Sequence, residues 1–546
     1  MSRKLWKKPA WKSAGALVLT SVMVLGGCGG GGSQENHVGK ADQDENFNAT
    51  GLPIVDDTIT LKMVSQKSAL APDYGTMEIF KKLQDSTHVQ VEWNNIPDTD
   101  FAEKKNLLFA SGDIPDAFYS AGLSDYELVN YGKDGTLLPL EDLIEQYAPN
   151  LKALLEKRPD IRANITAPDG HIYGLPSWEE NDLGSNPFFH AINKTWLDKL
   201  GLEVPETLDE YTQALEAFKT QDPNGNGKAD ELPLSFMHMQ WCMDIGGIFG
   251  AFGMPDNMEH RIVRDGKVIF TANQPEYKEA LKYVHDNWYA KGLVDPESFT
   301  QDAAQYLAKG KSPDETLGSF VWWEVAEMTG PERADDYVLL PPLTGPDGDR
   351  TIGRGNGGGP GRGAFSITKE NQYPEATMRW IDEQYEPYMA AQVHWGPLGV
   401  VFEKDAKGKL VNLPLPEGTN AGEFRQTVAV GAGAPGVITK EDLGVVVDLE
   451  PRAQQRMDDL EKYYMPYMEK ENYPSIFFEP EELDTINRIE PELLKYVNTQ
   501  RGKFMVDGGV DQEWDAYVQT LEKMGLNELM EIYQTGLDRY NASLKQ

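Results

Sequence analysis

Between Thr58 and Tyr119 the spacing of apolar side chains changes period four times, and few architectures accept such a run. Thr58 to Val64 alternates polar and apolar residues, a period of two that predicts a strand. Tyr74 to Leu83 then places Met77, Phe80 and Leu83 at helical spacing, and His88-Val89-Gln90-Val91-Glu92-Trp93 alternates again. Phe101 to Ala110 is helical and stops at Ser111-Gly112, after which Ala117-Phe118-Tyr119 forms a third short strand. Strand, helix, strand, helix, strand is the order of a parallel sheet in an α/β lobe. Ligands of such sheets sit beyond the carboxyl ends of the strands, so Ser65-Gln66-Lys67 and Asn94-Asn95 become candidate pocket edges.

The chain of 546 residues exceeds what one hydrophobic core usually supports, and two lobes are expected. Ahead of them stands a segment of a different kind. Arg3, Lys4, Lys7, Lys8 and Lys12 precede the apolar stretch Ala14 to Leu25, which is too short to span a bilayer, and small residues follow. That is the order of parts of a secretory signal. Leu25-Gly26-Gly27-Cys28 closes it and resembles the bacterial lipobox, which implies cleavage before Cys28 and attachment of diacylglyceryl and acyl chains there. With roughly 0.8 kcal/mol per buried CH₂, two or more chains hold a protein at a bilayer. An ordinary signal peptide with a chance cysteine, or a single-pass anchor, is the alternative. Gly29 to Ser33 is glycine-rich and Gln34 to Thr50 is polar, so residues 28–57 are read as a flexible tether. A coil of about 25 residues reaches roughly 25 to 30 Å. The expected location is the outer face of the cell membrane, held by lipid alone.

Charge narrows the partners. The formal net charge is -36, and removal of residues 1–27 takes away five basic side chains and no acidic one, leaving -41. Such a surface repels nucleic acid and anionic lipid. With Cys28 acylated, Cys242 is alone, and beside Trp241 and Met243 it reads as a buried small hydrophobe, with a reactive thiol as the alternative.

Several segments share one resemblance. Lys104 to Asp116, reading KKNLLFASGDIPD, looks like the segment shared by extracellular solute-binding proteins of ABC importers, family 1 type, in the lipoprotein branch of Gram-positive bacteria. Gly170-His171-Ile172-Tyr173-Gly174-Leu175-Pro176 resembles the hairpin leading to that family's interlobe crossing. Asn193 to Leu202 and Val204 to Glu210 resemble the start of its second lobe, and Lys503-Phe504 with Trp514 to Leu526 its closing helices. The likeness covers nearly all of residues 58–546. It implies a two-lobed α/β fold like that of periplasmic binding proteins, with hinge-linked lobes and a helical C-terminal region. Lobe 1 would hold 58–177 with about 360–440, and lobe 2 would hold 178–359 with about 441–546. It also implies a monomer that passes its ligand to an ABC permease. Some of these residues have local roles of their own: Thr207 and Glu210 form a capping-box pattern opening a helix with Leu208, Tyr211, Leu215 and Phe218 on one face.

Asp222-Pro223-Asn224-Gly225-Asn226-Gly227-Lys228-Ala229-Asp230-Glu231 follows the first nine positions of a calcium loop, with oxygen ligands at 1, 3, 5 and 9 and glycine at 6. Position 12, normally a bidentate Glu, is Pro233. Asp222, Asn224, Asn226, Asp230 and Glu231 by side chain and Lys228 by carbonyl are the proposed ligands of a structural calcium ion. An Asn-Gly turn that binds nothing is the alternative.

Aromatic rings stack on the apolar faces of sugars while carboxylates and amides take the hydroxyls. Trp178, Glu179 and Asn181 fall where the resemblance places the first crossing between lobes. Trp241 with Asp244, Trp322-Trp323-Glu324 and Trp395 are further candidates, against packing roles for each ring. Gly353-Arg354-Gly355-Asn356-Gly357-Gly358 matches GxGxxG but leads through Gly359 to Gly363 into the strand-like Ala364 to Ile367, so it reads as a hinge and not a dinucleotide loop. Arg354 and Arg362 would suit an acidic sugar, with simple exposure as the alternative.

The expected function is capture of a sugar or oligosaccharide by hinge closure, without catalysis. A polysaccharide-degrading enzyme using Glu179, Glu180 or Glu324 is the competing class, and a peptide carrier or a module feeding a sensor kinase shares the fold. No Gly-x-Ser-x-Gly or His-Glu-x-x-His motif is present.

Overall fold

The computed structural model describes residues 46–544 except 69, 187, 356, 357, 417–420 and 432. The signal segment, the lipobox and Cys28 lie outside the described residues, as do Asn356 and Gly357 of the glycine-rich run. In chain order the strands are Ile59–Lys67 (β1), Val89–Pro97 (β2), Ala117–Tyr119 (β3), Leu175–Glu179 (β4), Phe189–Asn193 (β5), Leu232–Ser235 (β6), Arg261–Arg264 (β7), Lys267–Phe270 (β8), Leu317–Trp322 (β9), Tyr337–Leu339 (β10), Gly361–Ile367 (β11), Phe402–Lys404 (β12), Leu410–Asn412 (β13) and Gly436–Ile438 (β14).

Two sheets organise the chain. The first is six-stranded in the order β14-β4-β11-β3-β1-β2, with β1 parallel to both β2 and β3 as the alternating periods predict. Strand β11 enters it antiparallel, between β3 and β4. The second sheet is four-stranded, β10-β5-β9-β6. Chain segments 180–188 and 340–360 run between the sheets, and the chain leaves the first sheet again after Ile438.

Each sheet has its own core. Around the first, Leu61, Met63, Phe80, Leu83, Leu175, Phe365 and Trp380 pack together. Around the second, Trp196, Tyr211, Leu215, Phe218 and Trp288 join Leu493, Val497, Phe504, Leu521 and Tyr533. The latter come from the C-terminal helices Pro480–Asp507, Val510–Lys523 and Leu526–Ser543, so these helices belong to lobe 2. Burying each such side chain contributes about 1.5–3 kcal/mol. The capping box holds: Thr207 Oγ1 accepts from the Glu210 amide at 3.2 Å and Glu210 accepts from the Thr207 amide at 3.1 Å. It starts Leu208–Thr220 in the register that buries Leu208, Tyr211, Leu215 and Phe218. Cys242 is buried, and burial pushes its thiol up to about 12.

Two expectations need correction. The helix predicted from Tyr74 begins at Glu78, because Tyr74–Thr76 forms a 3-10 turn first. Residues 46–57 are not tether. Ile54 and Val55 are fully buried, Ile54 N donates to Thr87 O at 3.0 Å, and Arg379 donates to Gly51 O at 2.7 Å. The adjacent apolar pair is what draws this polar stretch onto lobe 1. Among the described residues no helix is long and apolar enough to cross a membrane.

The glycine-rich run serves close packing. A Cβ at Gly353 would collide with the Asp256 carbonyl, and one at Gly363 with the backbone of Leu123.

Candidate functional site

Strand β4 ends at Glu179, and its carboxyl end carries the Trp178-Glu179-Glu180-Asn181 segment into a cleft. Pairing with β14 continues past the strand, Glu180 N donating to Ile438 O at 2.9 Å, which fixes where these side chains point. Arg158 lies over the Trp178 ring, 5.2 Å from its centroid. Its guanidinium is held by Asp160 at 2.9 and 2.7 Å and by Glu180 at 2.8 and 3.1 Å, a geometry that leaves little freedom.

Glu179 is tied from the other side. Arg425 Nη2 donates to Oε1 at 2.8 Å, and His394 Nδ1 lies 3.1 Å from the same oxygen. Burial opposes the charge, but the Arg425 guanidinium and the hydrogen bond from His394 prevail and hold the carboxyl at about 2. A carboxylate that low cannot serve as a general acid near neutral pH.

Glu179 and Asn181 stand in the walls of two cavities. The first, about 630 Å³, is polar and follows the crossing segments, with Arg158, Asp160, Asn164, Asp182, Arg354 and Ser475 around it. The second, about 560 Å³, is walled by aromatic and apolar side chains. Here Trp323, just beyond β9 of lobe 2, and Trp395, at the end of the lobe 1 helix Pro387–Trp395, line one space from opposite lobes. Phe402 and Phe424 add to the apolar wall. The charges around it are compensated: Arg425 pairs with Glu179, and Arg452 with Glu450 and Glu324 at 2.9 and 3.0 Å. Flat apolar faces with neutralised ion pairs suit an uncharged, ring-bearing, hydroxylated ligand.

The structure brings Trp178, Glu179, Asn181, Trp323, Arg354 and Trp395 to the cleft, and it places the other candidates elsewhere. Trp241 is 60% exposed and lines neither cavity. Trp322, on β9, faces the lobe 2 interior against Tyr306 and donates to Glu327 at 3.2 Å. Asp244 is spent on Arg501, whose Nη1 and Nη2 donate to it at 2.8 and 2.6 Å in a buried pair. Arg362 is buried too; it donates to Asp125 at 2.7 Å and to the Ser475 carbonyl at 2.8 Å, stitching β11 to the segment ahead of the C-terminal helices. Neither arginine nor aspartate is left to meet a ligand. Glu324 pairs with Arg452 and lines a neighbouring chamber behind Trp323. Sequence reasoning missed Arg158, Phe424, Arg425, Arg452 and Arg456, which sit in segments without a motif.

The 222–231 loop folds around its own acceptors. Asp222 accepts from the Asn226 and Gly227 amides at 3.1 and 3.0 Å, and the Asn226 amide nitrogen faces Asp230 at 3.1 Å. Glu231 Oε1 is buried without a hydrogen-bond partner, and burial together with Asp222 and Asp230 raises its carboxyl. This is a donor set short of a positive charge. Among the described residues no three His, Cys, Asp or Glu side chains converge on one metal position, so a cation here needs the asparagine and carbonyl oxygens as well.

Comparison with known proteins fits this geometry. Residues 67–391 match the family described as bacterial extracellular solute-binding protein. The chain is 39% identical over 551 residues, 98% of its length and 99% of the relative's, to the fructooligosaccharide ABC transporter substrate-binding protein FusA of Streptococcus pneumoniae. It is 26% identical over 406 residues, 71% of its length and 73% of the relative's, to the polygalacturonan/rhamnogalacturonan-binding protein YtcQ of Bacillus subtilis. Among solved structures, FusA in complex with kestose superposes with a TM-score of 0.80 at 41% identity, covering 89% of this chain and all of that one. An EF-hand mutant of FusA in complex with fructo-nystose matches to the same extent.

Proposed function

Because the chain belongs to the family of bacterial extracellular solute-binding proteins, we propose that it captures a neutral oligosaccharide of the fructooligosaccharide class between its lobes and delivers it to an ABC permease. It is a binding protein and not an enzyme. The observation that carries the ligand class is the pair Trp323 and Trp395, which reach one cavity from opposite lobes. A sugar ring between them contacts both lobes only when the lobes are together, so its binding energy favours the closed form. The ligand shifts that equilibrium by as much as it binds closed better than open. Two cavities of about 630 and 560 Å³ that share Glu179 and Asn181 favour a chain of sugar units over a single one. The balanced charges disfavour an acidic sugar. FusA's kestose and fructo-nystose complexes support the same class.

The lipobox-like Leu25-Gly26-Gly27-Cys28 supports anchoring of a monomer through acylated Cys28 on the outer face of the membrane. For the 222–231 loop the reading is a structural calcium ion, held by oxygens of Asp222, Asn224, Asn226, Asp230 and Glu231 and by the Lys228 carbonyl. The unpartnered Glu231 oxygen and the EF-hand named in FusA support it. Bound there, the ion supplies charge compensation within lobe 2 and no chemistry on the ligand.

Calorimetric titration with kestose, fructo-nystose, sucrose and fructose, followed by mass spectrometry of the released ligand, tests the proposal. Kestose and fructo-nystose should bind far more tightly than fructose and return intact. Equal affinity for fructose, or shortened products, would overturn it.

A further inference from the structure

Three arginines, Arg425, Arg452 and Arg456, stand in the wall of the apolar cavity. Each of them is met by a carboxylate: Arg425 by Glu179 at 2.8 Å, Arg452 by Glu450 and Glu324 at 2.9 and 3.0 Å, and Arg456 by Glu324 at 3.7 Å. Three positive charges and three negative ones cancel, so the wall is neutral only as long as every carboxylate is present.

The three carboxylates are not equivalent. Glu324 does not line this cavity, and Arg452 has two acidic partners. Among the described residues Arg425 pairs with the Glu179 carboxylate alone. Held at about 2, that carboxylate stays charged near neutral pH, and the cancellation is permanent. Arg425 does not owe its place to Glu179. Its Nε donates to the His394 carbonyl at 3.0 Å, and its guanidinium lies over Trp395, 5.7 Å from the ring centroid. Glu179 in turn is placed by the backbone pairing of β4 with β14, in which it stands opposite Ile438. Removing the charge of Glu179 therefore leaves both residues where they are and exposes an uncompensated guanidinium to the cavity, the group that best receives a carboxylate. With Glu179 charged, an acid brought to Arg425 meets a like charge on the far side of a 2.8 Å pair.

We propose that Glu179 is the residue that sets the charge class of the ligand: by cancelling Arg425 it admits uncharged sugars and turns away uronic acids, and its neutral replacement makes this part of the cavity a carboxylate-binding site. The inference rests on the neutral-oligosaccharide reading above and assigns that preference to one side chain.

Glu179→Gln keeps the length of the side chain and an acceptor for His394 Nδ1 while removing the charge. Calorimetry compares kestose with separated kestose uronates, in which one primary alcohol of the same sugar is oxidised to a carboxylate. The parent protein should bind kestose about ten-fold or more tighter than each uronate. In Glu179→Gln that ratio should fall about ten-fold or more for at least one isomer, and the gain should shrink with added salt. Glu179→Gln combined with Arg425→Met should lose the gain. If the parent binds a uronate as well as kestose, or if the ratio falls by less than this for every isomer, the assignment is refuted and the oligosaccharide reading stands. A gain that survives Arg425→Met puts the carboxylate on another cation and overturns the assignment too. Loss of both sugars from Glu179→Gln and also from Glu179→Leu, whether or not the fold is lost, would make Glu179 a structural residue and refute its role in selectivity. If the parent does not bind kestose, the oligosaccharide reading fails and this inference with it.

Discussion

Replacing Arg501 with Met decides whether Asp244 holds the fold or the ligand. In the structure the two make a bidentate pair at 2.8 and 2.6 Å, with side chains 0% and 3% exposed. Without the guanidinium, Asp244 keeps only the amides of Met239 at 2.6 Å and Gly246 at 2.7 Å. Stranding a buried carboxylate costs about 3–5 kcal/mol, against about 1 or less for a surface pair. Arg501 belongs to Pro480–Asp507, whose Leu493, Val497 and Phe504 complete the lobe 2 core, so the loss falls on lobe 2. The pH dependence has a definite sign. Burial opposes the Asp244 charge, but Arg501 outweighs it and lowers the carboxyl below its ordinary 3.8. Its contribution is thus present above about pH 4 and is lost as pH falls through the lowered value. In the variant burial is opposed only by the two amides and by His238, so the carboxyl stands higher than in the parent and the deficit grows as pH rises. Scanning calorimetry of the lobe 2 transition should show a deficit of about 3–5 kcal/mol at pH 7.5 that shrinks toward pH 4.5. Asp244→Leu combined with Arg501→Met should recover most of it, because a packed apolar pair replaces the ion pair at little net cost. Kestose affinity, measured at a temperature where the variants are folded, should stay within two-fold. A stable Arg501→Met, or one that keeps its stability and loses kestose ten-fold, would refute the structural role.

Other outcomes follow from the same geometry. Trp323→Ala and Trp395→Ala should each weaken kestose by ten-fold or more in calorimetry while Trp241→Ala changes it less than two-fold; a large loss at Trp241 would put the ligand elsewhere. Chelator should lower the melting temperature of lobe 2, calcium should restore it, and Asp222→Ala should remove the response; an unresponsive parent protein would leave the 222–231 loop a plain turn. Glu179, held at about 2 against an ordinary 4.5, contributes stability that is complete above about pH 4.5 and lost as pH falls toward 2. The stability gap between the parent and Glu179→Gln should close across that window, and a gap that instead widened toward acid would contradict the Arg425 pairing.

What the sequence made legible was local. Period and capping act over a few residues, so β1, β2 and β3 and the Thr207 to Glu210 box could be read directly. Trp178 to Asn181 was found because the family resemblance places the first crossing between lobes there; β4 itself runs through Glu179. Partners far along the chain left no such trace. Asp244 meets Arg501 257 positions away, and Arg362 meets Ser475 113 positions away, so both looked available to a ligand. Trp322 ends a strand and Trp323 follows it, and pattern alone did not say which of the two adjacent rings faces the cleft. Arg425 and Arg456 gain their roles only from the carboxylates that the fold brings beside them.

A crystal structure of the full mature chain with kestose is the most direct measurement. The predicted result is one intact sugar between Trp323 and Trp395, touching both lobes. Kestose bound outside the two large cavities, on one lobe only, or present as cleaved products would contradict it.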